Sequence, residues 1–183
     1  QENFFTGKDQ GNLNRGAMRW QLMGQSDRTT ALLTLGYQAG DERAAVLEYI
    51  EQGASVFAAN PPFDSGFHLA PEPFEFVQDE STTAFKRFDA TLDIRHELTP
   101  DLSVVSITGY KDTDTEDFFD NDFSSEPRLR AEIFNHEEQR LFSQEFRLES
   151  NPEKRLSYVA GLYYLHDLVK MQRNFDYRPP FLL

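Results

Sequence analysis

Apolar and polar residues alternate from Arg87 to Arg95 in the stretch TAFKRFDATLDIRHEL, residues 83–98. The apolar row contains Phe88, Ala90, Leu92 and Ile94, and the row between them contains Arg87, Asp89, Thr91, Asp93 and Arg95. A period of two residues is that of a β-strand with one apolar and one polar face. The stretch therefore predicts a strand whose charged side chains contact water.

Weaker forms of the same alternation predict five further strands. They occupy residues 14–24, 29–38, 102–111, 142–150 and 156–165. Short polar turns at 25–28, 99–101 and 151–155 join the six strands into three hairpins. Both faces of 156–165 are largely apolar, which leaves the orientation of that strand open.

The hairpin around Pro100 also predicts a register. A two-residue turn at Pro100-Asp101 pairs Ile94 with Ile107 and His96 with Val105. In that register Val105 and Ile107 join the apolar face.

Long connections separate the hairpins, at about 39–82 and 112–138, and a truncated one follows at 167–183. Short turns at one end of the sheet and long connections at the other are typical of outer-membrane barrels. The predicted strands also exceed the roughly 5–6 residues that are usual in soluble sheets. The pattern favours a membrane barrel, and a soluble sandwich is the alternative.

Composition narrows the function classes. The net charge is -13, which argues against a nucleic-acid partner because phosphates require a basic surface. Residues 39–82 and 112–138 contain 19 of the 31 acidic residues, so the acid belongs to the predicted connections. The chain has no cysteine and no apolar run of about 18 residues, and the second absence excludes a membrane-spanning helix.

Several stretches resemble the barrel of TonB-dependent outer-membrane receptors. They are GNLNRGAMRWQLMGQSDRTTALLTLGY, ELTPDLSVVSITGYKD followed by DNDF, and SQEFRLES with RLSYVAGLYYL. The resemblance implies an all-β, antiparallel up-and-down transmembrane β-barrel of which residues 1–183 form about six strands, not closed on their own. The plug and the TonB box of the family are absent from these residues, so the chain is expected to be a fragment.

The resemblance also implies a function. The whole protein would import a scarce solute, such as a ferric siderophore, a cobalamin or an oligosaccharide, across the outer membrane of a Gram-negative bacterium. Its expected partners are the TonB complex, reached through missing parts, outer-membrane lipid and lipopolysaccharide, and the small-molecule ligand. A passive porin-like channel and a soluble extracellular β-domain that binds a partner through acidic loops are the alternatives.

Two groups of residues are candidates for the function. Ligand contacts are expected from the long connections, at Phe63, Phe67, Phe74, Phe76, Asp120 and Asp122. The lumen wall is expected to contain Arg87, Asp89, Asp93, Arg95, Glu145 and Arg147, in ladders of opposite charge.

No enzyme activity and no cofactor are expected, because no catalytic motif occurs. The acidic run that starts at Asp112 fails as a calcium loop. Asp117 stands where the loop needs glycine, and Phe123 stands where it needs glutamate.

Overall fold

The computed structural model describes residues 7–9, 11–43, 81–121 and 130–178. These residues form six β-strands: β1 Arg15–Gln25, β2 Thr29–Arg43, β3 Thr82–Thr99, β4 Leu102–Asp120, β5 Arg130–Ser150 and β6 Val159–Arg178. None of the described residues belongs to a helix of the length and hydrophobicity needed to cross a membrane.

The six strands form one antiparallel sheet in the order β1-β2-β3-β4-β5-β6. Each strand pairs with the next one along the chain, and no pairing within the described part of the chain joins β1 to β6. The prediction of an all-β, up-and-down sheet of three hairpins that does not close by itself is confirmed. We call the end with the connections 26–28, 100–101 and 151–158 the turn end, and the opposite end the connection end.

The strands extend further toward the connection end than the sequence predicts. β2 runs to Arg43, β4 to Asp120 and β6 to Arg178, and β5 starts at Arg130. The predicted connections 39–82, 112–138 and 167–183 are therefore wrong where they overlap these strands. Residues 44–80, 122–129 and 179–183 lie outside the described residues.

Charge density is the reason for this error. Asp and Glu are depleted in strands, so the acidic run after Lys111 favours a loop. In the structure the backbone of this run pairs with β5, while Asp114 and Glu116 project from one face and Thr113 and Thr115 from the other. A strand tolerates such side chains where they contact water, because pairing with its neighbours satisfies the backbone N–H and C=O groups.

The predicted register of the second hairpin is wrong by one residue. Ile94 lies opposite Ser106 and His96 opposite Val104, because an irregularity between Glu97 and Thr99 shifts the pairing. A slip of one residue moves every side chain to the other face. Val105 and Ile107 therefore lie on the face of Arg95 rather than on the apolar face.

The register assigns the side chains to two faces. The apolar face contains Trp20, Leu22, Leu33, Leu35, Phe88, Leu92, Phe146 and Leu162, and the polar face contains Arg19, Thr34, Arg87, Asp89, Asp93, Arg95, Glu145 and Arg147. The orientation of β6, open from the sequence, is settled by its pairing. Its Leu162 and Tyr164 lie on the apolar face, and its Tyr163 and Leu165 lie on the polar face.

Glycines on the polar face make room for side chains of neighbouring strands. A Cβ atom at Gly36 would lie 2.5 Å from a carboxylate oxygen of Asp89, and one at Gly161 would lie 2.8 Å from the carbonyl oxygen of Phe146. On the apolar face, a Cβ at Gly24 would have no atom within 4 Å. The polar face is thus crowded around these glycines, whereas the apolar face is open at Gly24.

This difference predicts opposite effects for two glycine substitutions. Gly161→Ala should lower the free energy of unfolding by about 1–3 kcal/mol, because the backbone oxygen that blocks the new methyl group cannot move aside freely. Gly24→Ala is the matched control, and it should be neutral or stabilising by about 0.5–1 kcal/mol. Chemical denaturation of the full-length protein measures both changes, and equal effects would contradict the crowding of the polar face.

Candidate functional site

The apolar face of the sheet is exposed over its turn-end half. Trp20, Leu22 and Leu162 are 55%, 70% and 79% exposed. All contacts between strands join neighbours within the sheet, so no second layer covers this face in the described residues. Contiguous exposed apolar surface of this kind marks contact with another protein or with a membrane.

A row of aromatic side chains crosses the apolar face from β2 to β6. It consists of Tyr37, Phe88, Tyr110, Phe142 and Tyr164. Tyr37 is paired with Phe88, and Tyr110 with Phe142. The Phe88 and Tyr110 ring centroids lie 6.3 Å apart and those of Phe142 and Tyr164 lie 6.4 Å apart, within the range of favourable aromatic contacts. We call these five residues the aromatic row.

Beyond the aromatic row, toward the connection end, the same face becomes charged. This charged zone contains Lys86, Asp112, Asp114, Glu116, His136, Glu138, Arg140 and Lys170. Arg140 and Asp112 form an ion pair of 3.2 Å across β4 and β5. Along the strands, the face therefore changes from apolar to aromatic to charged.

The polar face contains all six residues that were predicted to line a lumen. Arg87, Asp89, Asp93 and Arg95 project from it on β3, and Glu145 and Arg147 project from it on β5. The structure thus brings the six to one surface. That this surface faces a lumen stays a prediction.

The predicted ladder of opposite charges is interrupted by β4. The cross-strand partner of both Arg95 and Arg147 is the apolar residue Val105. Arg147 instead pairs with Glu145 on its own strand, with 2.9 Å between Nη2 and Oε2. The reason is topological, because β4 separates the two charged strands.

Arg95 reaches across β4 to pair with β5. Its Nη1 donates to a carboxylate oxygen of Glu149 at 2.8 Å. Val105, directly beside Arg95 in the ladder, is 5% exposed and is the one hydrophobic residue that is buried among those described. The aliphatic stems of long charged side chains cover apolar surface in this way. On the polar face, β3, β4 and β5 are therefore held together by an ion pair and by packing against Val105.

An ion pair at the connection end was missed by sequence reasoning. Arg15 donates to both carboxylate oxygens of Glu42, at 2.6 and 2.9 Å, and Glu42 is 8% exposed. The pair ties the edge strand β1 to β2. No sequence signal indicated it, because Glu42 was assigned to a long connection rather than to a strand.

The predicted ligand contacts are only partly visible. Asp120 ends β4 and is 3% exposed. Phe63, Phe67, Phe74, Phe76 and Asp122 lie outside the described residues. Their role in ligand binding stays a prediction.

No family model, curated protein or solved structure matches this chain. The likeness to TonB-dependent receptors rests only on the sequence stretches given above.

The bridge over β4 predicts a measurable coupling between Arg95 and Glu149. In a double-mutant cycle with Arg95→Ala and Glu149→Ala, the pair should contribute about 0.2–1 kcal/mol, because both side chains retain contact with water. The coupling should fall at high salt. Unfolding free energies of the four proteins measure it, and additive single effects at low salt would contradict the bridge.

Proposed function

We propose that this sheet is part of the wall of a TonB-dependent receptor barrel in a Gram-negative outer membrane. The apolar face would contact lipid, and the polar face would line the lumen. The observation that supports this most is the order of zones along the apolar face. The part between the turn end and the aromatic row, which we call the apolar band, is followed by the aromatic row and then by the charged zone. Outer-membrane barrels have an apolar outer band bordered by aromatic girdles.

The height of the apolar band supports the same proposal. At ~3.4 Å per residue and a tilt of ~40°, the stretch from Phe88 to Leu98 covers about 26 Å along the membrane normal. The apolar band of such barrels is about 25 Å tall. The aromatic row would then lie at the outer interface, and the charged zone would reach the lipopolysaccharide headgroups.

The open edges of the sheet fit a larger barrel. β1 and β6 each have one edge without a strand partner among the described residues. In lipid, unpaired backbone groups cost several kcal/mol each, so spanning strands occur in closed barrels. Membrane barrels have at least about 8 strands, and further strands of the full-length protein would pair with both edges.

The transport function follows from the resemblance. The whole protein would take up a scarce solute, such as a ferric siderophore, a cobalamin or an oligosaccharide, with energy delivered by the TonB complex to parts outside this chain. Residues 44–80 and 122–129 follow β2 and β4 in the chain, after the connection end of the sheet, and would contribute to ligand binding outside the cell. The wall described here would be scaffold rather than catalyst.

A passive porin-like channel is the second candidate. Its wall would have the same apolar outer face and charged inner face. A soluble extracellular β-domain is less consistent with the sheet, because its apolar face would need a second layer.

Two neighbouring substitutions on β3 test the orientation of the faces. Leu92→Arg should destabilise the full-length protein by about 2–4 kcal/mol, because it places a charge near the middle of the bilayer. Asp93→Arg, one residue further on, should cost much less, because it faces water. Reversible unfolding from lipid vesicles measures both. Equal costs, or a monodisperse protein that folds without detergent, would contradict the membrane orientation.

Ion conductance separates the receptor from the passive channel. The full-length protein reconstituted in a planar bilayer with potassium chloride should show no steady conductance, because a plugged receptor closes its own lumen. Proper insertion is checked by protease protection of the reconstituted protein. A steady open-channel current would favour the porin-like alternative.

A further inference from the structure

The pairing of β4 and β5 brings two carboxylates and one imidazole together in the charged zone. Asp114 and Glu116 alternate on one face of β4, and Glu116 lies directly opposite His136 on β5. One ligand atom from each of the three residues lies within 4.8 Å of the others. His136 Nε2 and Asp114 Oδ1 are 3.2 Å apart.

Asp114 has one basic and one acidic cross-strand neighbour. Lys86 of β3 and Glu138 of β5 both lie directly opposite Asp114, and Glu138 pairs with Lys170 at 3.8 Å. Among the described residues, neither Asp114 nor Glu116 forms an ion pair with a lysine or arginine. Asp112, two residues before Asp114 on the same face of β4, pairs with Arg140 at 3.2 Å. The carboxylates of Asp114 and Glu116 are therefore not held by a lysine or arginine and can turn toward a bound cation.

The distances suit a tetrahedral metal ion. Zinc bonds of ~2.0–2.1 Å to nitrogen and oxygen place neighbouring ligand atoms about 3.4 Å apart. His136 and Asp114 already have this spacing. Because Asp114 and Glu116 are exposed, their carboxylates are free to rotate through the remaining distance.

We propose that Asp114, Glu116 and His136 form a binding site for a divalent transition-metal ion such as Zn²⁺. An imidazole nitrogen favours zinc, copper, iron or nickel over calcium and magnesium, which prefer oxygen ligands. The three residues leave a coordination position open. Glu116 and His136 line an open groove of about 450 Å³ that Asn174 and Gln172 of β6 also line.

This site differs from the linear calcium loop that the acidic run failed to match. Its ligands come from two strands, and β-sheet register rather than sequence spacing assembles them. It lies beyond the aromatic row, outside the apolar band, so it is open to solvent whether or not the sheet spans a membrane. The proposal goes beyond the proposed transport function and does not depend on it.

Zinc binding to the full-length protein, freed of metal by chelation, tests the site. Isothermal titration with Zn²⁺ should show one site at which His136→Ala and Asp114→Asn each weaken binding at least tenfold. Zn²⁺ should also raise the denaturation midpoint of the wild type, because an ion that binds only the folded state stabilises it. The midpoint should not rise in His136→Ala.

Two variants serve as controls for this experiment. Asp112→Asn changes the neighbouring acid on the same face of β4. His166→Ala removes a histidine of β6 that lies opposite Phe142 of β5. Both should bind Zn²⁺ as the wild type does. The proposal is overturned if the wild type does not bind Zn²⁺, if the controls weaken binding as much as His136→Ala does, or if Ca²⁺ binds as tightly as Zn²⁺ and independently of His136. Unchanged far-ultraviolet circular dichroism verifies that each variant is folded.

Discussion

The ladder of backbone hydrogen bonds between neighbouring strands holds this sheet together, because the described residues form no enclosed apolar core. Val105 is the one hydrophobic residue buried among them, and every contact between strands is a contact between neighbours. In a soluble domain, an apolar face of this size would pack against a second layer. Here the ladder satisfies the backbone hydrogen bonds, and the described residues leave the apolar face uncovered. Whether lipid or another protein covers that face therefore decides which function is possible.

The two faces differ in packing as well as in polarity. On the polar face, side chains such as Asp89 lie over glycines of the next strand, and the bridge from Arg95 to Glu149 crosses β4. On the apolar face, large side chains stand exposed, and the aromatic row separates them from the charged zone. This contrast between the two faces is the basis on which we propose a barrel wall in lipid rather than a layer of a sandwich.

Much of the polar face was predictable, and much of the charged zone was not. The period of two places Arg87 and Asp93 on one face of β3 and Glu145 and Arg147 on one face of β5, whereas the register across β4 decides that these two rows share a surface. The pairing of Arg15 with Glu42 and the approach of His136 to Asp114 depend on which residues lie opposite each other across two strands. Sequence separations of 27 and 22 residues contain no local signal for such contacts.

By itself, the sequence determined the number of strands, their order and the alternation of apolar and polar residues within β3 and β5, because alternation and turn residues act over a few neighbouring positions. Only the tertiary structure decided the strand ends and the register. The acidic run after Lys111 became strand because β5 satisfies its backbone, which composition cannot show. The irregularity between Glu97 and Thr99 moved Val105 to the polar face. In the hairpin from Phe142 to Leu165, both faces of the second strand are largely apolar. Only its pairing with β5 decided which residues lie on the apolar face and which on the polar face.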